Sequence, residues 1–343
     1  MNLIKKLKSE AMFMKQMAEG YVSDKQKEEF SLVVSSLEDY KYKSGELITS
    51  MLESTDVLSG IQWRTGYAGD TTIQLNLMSN DIRLSNTACE VGGTGSATIA
   101  PRTVVMKNIS DRLSICLQDL DQKLPMLNSP GANHQDLTFG TALIDNRLKE
   151  LAKVNQQLLF QGNTSTGVGN LGKAQGLLQI AAAETGSLAG YLTASTSWTA
   201  STARIDLIIA EASETMQEAM DTTIYLSVAN FNLVRQGVLA LYPYMMGGTG
   251  VYLNGAYSDQ IDKNAFVYPG TNFIIKGTNG MYASNDAIML PYSEIYGFTN
   301  VESDMSGVDA FYDKVSKSFI VDTVYSLGFQ YSNPGNVVYF KKI

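Results

Sequence analysis

Residues 138–161 read TFGTALIDNRLKELAKVNQQLLFQ, and this stretch decides the fold class. Ile144, Leu148, Leu151 and Leu158 recur at helical spacing, and neither Gly nor Pro interrupts the run from Thr141 to Gln161. The spacing predicts one helix from Thr138 to Phe160. About 20 residues at 1.5 Å rise make a rod of about 30 Å, long enough to span a whole domain.

Glycine-rich sequence from Gly162 to Gly176 ends the helix. Inside it, Gly167-Val168-Gly169-Asn170-Leu171-Gly172 matches GxGxxG, and Gly167 to Lys173 matches GxxxxGK. Both fingerprints need a strand before the glycines and a helix after them, so that backbone N–H groups at a helix start cradle phosphate. Here a long helix precedes them, and Ala174 stands where a magnesium-holding hydroxyl belongs. The segment reads as a turn leaving a helix, and a nucleotide-binding enzyme built on Gly167 to Lys173 is the alternative from another class.

Downstream, the Ser-, Thr- and Ala-rich tract from Ala181 to Ala203 predicts a surface loop. Ile205, Ile208, Ile209, Ala212, Met216 and Met220 mark a second amphipathic helix, Ile224 to Val228 a buried strand, and Phe231 to Leu241 a third helix. Phe273-Ile274-Ile275, Ala287 to Leu290 and Val337 to Phe340 predict short strands between turns. Upstream, Thr72 to Leu77 alternates as a strand does, and the region from Ile61 to Lys107 predicts two strands joined by the turn-forming Glu90-Val91-Gly92-Gly93-Thr94-Gly95. Before Gly60 the pattern is polar and helical. Helices and strands mix without regular βαβ alternation, so the class is α+β.

Charged residues make up 17% of the chain, against about 25% in ordinary soluble domains. A subunit that hides its exterior in contacts with copies of itself needs fewer charges. The net charge of -8 opposes any role that depends on gripping phosphates. Cys89 and Cys116 show no metal-ligand spacing, and His134 is the sole histidine, in a turn-like stretch without a GxSxG elbow elsewhere. Glu211 with Glu214, and Glu302 with Asp304, read as solvated faces. Neither a metal nor a cofactor is expected, nor is catalysis. The uncharged stretch Gln236 to Ser258 contains Pro243 and five glycines, which argues against a membrane span. Tyr242, Tyr244 and Tyr252 surround Gly247 and Gly248 within it, which favours an adaptable subunit interface.

The order of these pieces resembles the major capsid proteins of tailed phages, the Hong Kong 97-type fold. The passage Leu159-Phe160-Gln161-Gly162-Asn163 followed by Gly172 to Leu178 is similar to that family's helix, glycine turn and G-L-L. Tyr225 to Phe231 resembles its axial strand and helix, and Asn333 to Phe340 its proline before a last apolar strand. The resemblance implies an N-terminal arm over 1–60, an extended E-loop hairpin over 61–107 and a peripheral domain with the spine helix over 108–178. An axial domain over 179–300 and return strands over 301–343 complete it. It implies a shell of hexamers and pentamers enclosing double-stranded DNA, a location in the virion after assembly in the host cytoplasm, and separate scaffolding, portal and decoration proteins as partners. Gly92, Gly93, Gly95, Tyr242, Tyr244, Gly247, Gly248 and Tyr252 are the expected subunit-interface residues. Bacterial encapsulins share the fold, so a shell is implied before a virus; the 343-residue length, above a usual encapsulin, tilts the reading to phage. Some members cross-link an E-loop lysine to a neighbour's asparagine, but no lysine occurs between Lys43 and Lys107, so no isopeptide network is expected. Some members carry a long cleaved N-terminal scaffolding segment; with the short arm here, a separate scaffolding protein, or none, is expected.

Overall fold

The computed structural model describes residues 55, 57–67, 72–80, 97–116, 139–241, 264–300, 307–313 and 318–343. Strands β1 (Gln62–Arg64), β2 (Thr72–Asn80), β3 (Ala97–Val105) and β4 (Lys107–Cys116) come first. Helix α1 (Phe139–Gln161), α2 (Leu177–Ala183), strand β5 (Gly190–Ala194), α3 (Ala203–Ala210) and α4 (Glu214–Glu218) follow. Then come β6 (Thr222–Ser227), α5 (Val228–Leu241), β7 (Ala265–Val267), β8 (Ile274–Thr278), β9 (Ala287–Pro291) and β10 (Ile295–Thr299). The chain closes with β11 (Gly307–Asp313), β12 (Ser318–Tyr331) and β13 (Val338–Lys342).

The chain divides into two compact units. Of the described residues, 110–116, 139–150, 307–313 and 318–324 belong to one, and the rest to the other. In the smaller unit β11 runs antiparallel to the first half of β12, with Gly307 opposite Val324 and Asp313 opposite Ser318. Arg112 on β4 donates from Nε and Nη2 to the two carboxylate oxygens of Asp322, each at 2.7 Å. Arg147 of α1 pairs with Asp111 in the same unit.

The larger unit is built on a six-stranded sheet of order β5-β13-β9-β6-β8-β7. Its β6 is buried along its whole length, as a central strand covered on both faces must be. Alternation sorts its side chains. Ile224 and Leu226 join Ile205 and Ile208 of α3 and Phe231, Val234 and Val238 of α5 in one core. Tyr225 turns the other way and packs on Phe160, with ring centroids 5.0 Å apart. Gly277 on β8 lies under Phe231, where a Cβ would come 2.8 Å from that side chain.

The long helix forms as its periodicity predicts, over 23 residues. Leu148, Leu151, Ala152, Asn155, Leu158 and Leu159 are buried along one stripe. It stops where backbone meets backbone: Gly162 N donates to Leu158 O at 3.1 Å, and Gly176 N to Gly162 O at 2.9 Å. A Cβ on Gly176 would lie 2.6 Å from both Gly162 N and Leu158 O, so the crossing needs glycine.

A second sheet of the same unit pairs β1 in parallel with β10, and β10 antiparallel with the last residues of β12. Strands β2 and β3 form an antiparallel hairpin of nine residue pairs, Thr72 opposite Val105 and Asn80 opposite Ala97. Leu75, Val104, Met106 and Phe298 are buried together at its base.

Two expectations need correction. The amphipathic helix expected from Ile205 to Met220 is two helices, α3 and α4. Ser213 breaks it by capping α4, its Oγ accepting from Met216 N at 3.3 Å, and Met220 is exposed beyond the second helix. The tract expected as a loop from Ala181 to Ala203 contains β5, which pairs in parallel with β13 from Gly190 opposite Val338 to Ala194 opposite Lys342. Pairing with a strand from the far end of the chain overrides the local small-residue composition. A smaller shift occurs at Val228, which opens α5 and does not close β6. Likewise, residues 62–64, at the start of the stretch expected to be hairpin, form β1 and join β10.

Candidate functional site

The expected interface residues Gly92, Gly93, Gly95, Tyr242, Tyr244, Gly247, Gly248 and Tyr252 lie outside the described residues, as do His134, Cys89, Glu302 and Asp304. Glu211 stands in the break between α3 and α4, and Glu214 opens α4.

Gly167 to Lys173 is described in full. It follows helix α1, its residues Gly169–Gly172 form a single 3-10 turn, and the next helix opens only at Leu177. Several of its amides turn inward: Gly167 N donates to Asn163 O at 2.8 Å and Lys173 N to Asn170 O at 3.1 Å. Asn163 Oδ1 accepts from Ser165 N and Thr166 N, each at 3.0 Å. Gly172 is required because its Cβ would lie 2.6 Å from Gly167 O. The loop thus bonds partly to itself, and it lacks both the strand before and the helix directly after that a phosphate cradle uses. Among the described residues there is no cluster of three or more potential metal ligands, and no helix is long and apolar enough to cross a membrane.

A polar cluster of converging partners holds the root of the hairpin. Arg102 sits on β3 opposite Leu75. Its Nη2 donates to Glu184 Oε1 and Oε2 at 2.8 and 2.6 Å and to Gln330 Oε1 at 3.3 Å, and its guanidinium lies 4.7 Å over the Tyr331 ring. Tyr331 OH donates to Glu184 Oε2 at 2.8 Å, and Gln330 Nε2 returns a bond to Thr103 O at 2.9 Å. One arginine of the ribbon is thereby tied to the residue after α2 and to the end of β12. All three bonds leave the one nitrogen Nη2, and the flat guanidinium stacked on the Tyr331 ring sets its direction. Sequence reasoning missed this clasp, since its members are 82, 147 and 228 residues apart. The one local hint is Arg102 itself, a charge set between Ile99 and Val104.

Strand β13 repeats the theme of a buried phenol on a carboxylate. Tyr339 on β13 donates to Asp286 Oδ2 at 3.1 Å, and Lys342 N to Asp286 Oδ1 at 2.8 Å. Burial first, and then the adjacent Glu184, push the Tyr331 phenol well above its ordinary pKa; burial and Asp286 do the same for Tyr339. Below the ordinary value near 10 both phenols are protonated whether the chain is folded or not. Above it the unfolded chain ionises first, so stability falls as pH rises. The thermal midpoint is expected to stay level up to about pH 9 and to decline above about pH 10, each phenol contributing about 1.4 kcal/mol per pH unit. A Tyr331→Phe, Tyr339→Phe double variant should show a shallower alkaline decline in the same titration, and an unchanged slope would refute the assignment.

No protein-family model and no curated protein sequence matches the chain. Solved structures do. A chain of the satellite phage P4 procapsid that includes the size determination protein is similar at TM-score 0.56 and 11% identity, over 87% of this chain and 99% of that one. A chain of the capsid of the empty GTA particle is similar at TM-score 0.50 and 13% identity, over 85% and 90%. The protein has the fold of phage capsid chains.

Proposed function

We propose that this chain, with the fold of phage capsid subunits, is a structural major capsid protein and not an enzyme. It self-assembles through hexamers and pentamers into an icosahedral shell around double-stranded phage DNA. The observation that carries the reading is the match to essentially the whole of a procapsid chain while most of this chain is used. The subdivision of the sequence is proposed with it: arm 1–60, E-loop 61–107, peripheral domain 108–178 with α1 as its spine, axial domain 179–300, and return strands 301–343. The six-stranded sheet suits an axial domain, because β5, β6, β7, β8 and β9 all fall between 179 and 300 and only β13 returns to it.

Function in such a subunit is geometry. A rigid hairpin held at its root by Arg102 reaches a neighbour in a reproducible direction, and repeated contacts between unlike patches close into rings. The net charge of -8 keeps packaged DNA from adhering to the wall. Virion location, assembly in the host cytoplasm, and separate scaffolding, portal and decoration proteins belong to the same proposal.

Negative-stain electron microscopy with size-exclusion chromatography of the expressed protein tests it. Closed shells, or rings of five and six subunits, are expected. A monomer whose melting temperature rises with added nucleotide would overturn the reading in favour of the Gly167 to Lys173 alternative.

A further inference from the structure

Ala283 is the one residue other than glycine with positive φ among the described residues, at 58°. It follows Tyr282, whose φ and ψ are -53° and 131°, and Ser284 N closes the turn on Met281 O at 3.0 Å. These angles describe a type II turn, whose third position favours glycine because a Cβ there is strained. A strained residue persists only where its surroundings over-determine it, and here they do.

Three parts of the chain clamp the backbone on either side. From α1, Gln156 Nε2 donates to Thr278 Oγ1 at 2.8 Å, and Gln161 Nε2 donates to Gly280 O at 2.7 Å and Tyr282 O at 3.0 Å. From α5, Asn230 Nδ2 donates to Ser284 O at 3.0 Å. Trp198 Nε1 holds Asn285 O at 2.7 Å. Gly280 lies against Phe160 so closely that no side chain would fit, and Met281 is fully buried. All this order leaves the Tyr282 side chain outside, 69% exposed.

A large aromatic ring on a backbone that cannot shift has already surrendered the freedom that binding would cost. Tyrosine adds broad contact area with few rotors, and anchors of this kind dominate interfaces. We infer that Tyr282 is a preorganised anchor for the contact between neighbouring copies of this chain, an inference that rests on the shell reading. A second copy is the occupant because the shell reading sets copies of this chain side by side, and the exposed side chains Leu207, Met220 and Leu241 offer apolar surface that such a contact can cover. A net charge of -8 disfavours a nucleic acid as the ring's partner.

The test compares Tyr282→Ala and Ala283→Gly with the unaltered protein by the concentration at which shells appear in sedimentation, and by the melting temperature of unassembled subunits. Tyr282→Ala is expected to raise the assembly threshold at least tenfold and leave the melting temperature unchanged. Ala283→Gly is expected to raise the melting temperature by relieving the strained φ while leaving the threshold unchanged, since the clamps remain. Unaltered protein that forms shells, with Tyr282→Ala forming them at the same concentration, overturns the anchor alone. So does a Tyr282→Ala subunit that melts early, or one whose shells are intact but lack an accessory protein. Unaltered protein that forms no ring or shell even with a scaffolding protein present, and that nucleotide stabilises, overturns the shell reading and the anchor together.

Discussion

Replacing Phe160 with alanine is expected to destabilise the dissociated subunit by about 4 kcal/mol, within the range for removing a buried phenylalanine. Phe160 is fully buried at the end of α1, where its ring meets Tyr225 of β6 and the face of Gly280. Truncation opens a cavity where the long helix joins the six-stranded sheet. Total stability for a single domain is only about 5–15 kcal/mol, so the loss is a large share of it. Phe160→Leu should cost less than about 1.5 kcal/mol, since much of the volume returns. Gly280→Val overfills the same place, with a Cβ 2.5 Å from Phe160 Cδ2 and 2.6 Å from Gln156 O, and should cost about 3 kcal/mol. In the double variant the valine fills part of the space that Phe160 vacated, so the combined loss should fall short of the sum. Denaturant midpoints of the four proteins measure this cycle. Strict additivity would show that the two sites do not share the contact described.

Arg102→Ala is expected to loosen the hairpin at its root. The Arg102 side chain is 10% exposed and that of Glu184 31%, so the pair is partly shielded. Breaking a fully buried pair costs about 3–5 kcal/mol, and the access of water to Glu184 lowers this to about 2 kcal/mol. The larger effect is on direction. Without the bonds to Glu184 and the stack on Tyr331, the bond from Gln330 Nε2 to Thr103 O is left as a tie between the ribbon and β12. Cleavage within residues 61–107 by a dilute protease should accelerate at least tenfold in the unassembled variant, and few complete shells should form. Arg102→Lys keeps the charge but not the flat face stacked on Tyr331, and should fall between the two. A protease rate equal to that of the unaltered subunit would show that the clasp does not hold the hairpin.

Several of the regular elements are legible in the sequence, and the reasons are local. Leu148, Leu151 and Leu158 mark one stripe of α1 at helical period, and Ile224 to Leu226 form an apolar run that only a covered strand tolerates. Ala287 to Leu290 and Val338 to Phe340 are equally plain. The misses have a different physical origin. Ser213 lies between two apolar segments in helical phase, so period alone joins what a single serine hydroxyl separates. In β5 the residues Gly190, Thr193 and Ala194 carry little strand preference, and the segment is extended because β13 supplies its hydrogen bonds. Sequence pointed to a contact surface in the glycine- and tyrosine-rich stretch from Tyr242 to Tyr252, which lies outside the described residues. It passed over Tyr282, which has no signature beyond being one tyrosine among 18.

The amino-acid sequence by itself determined the long helix, the buried strands, the light charge and the place of Gly167 to Lys173 after a helix and not after a strand. Each of these depends on residues within one or two turns of one another, where spacing and side-chain type are sufficient. Only the tertiary structure decided that β13 lies between β5 and β9, that Arg102 finds Glu184 and Tyr331, and that Ala283 is forced into a glycine's conformation. Those outcomes follow from pairing energies between residues far apart in the chain. Such energies exist only once the intervening loops have been closed, and no local period records them.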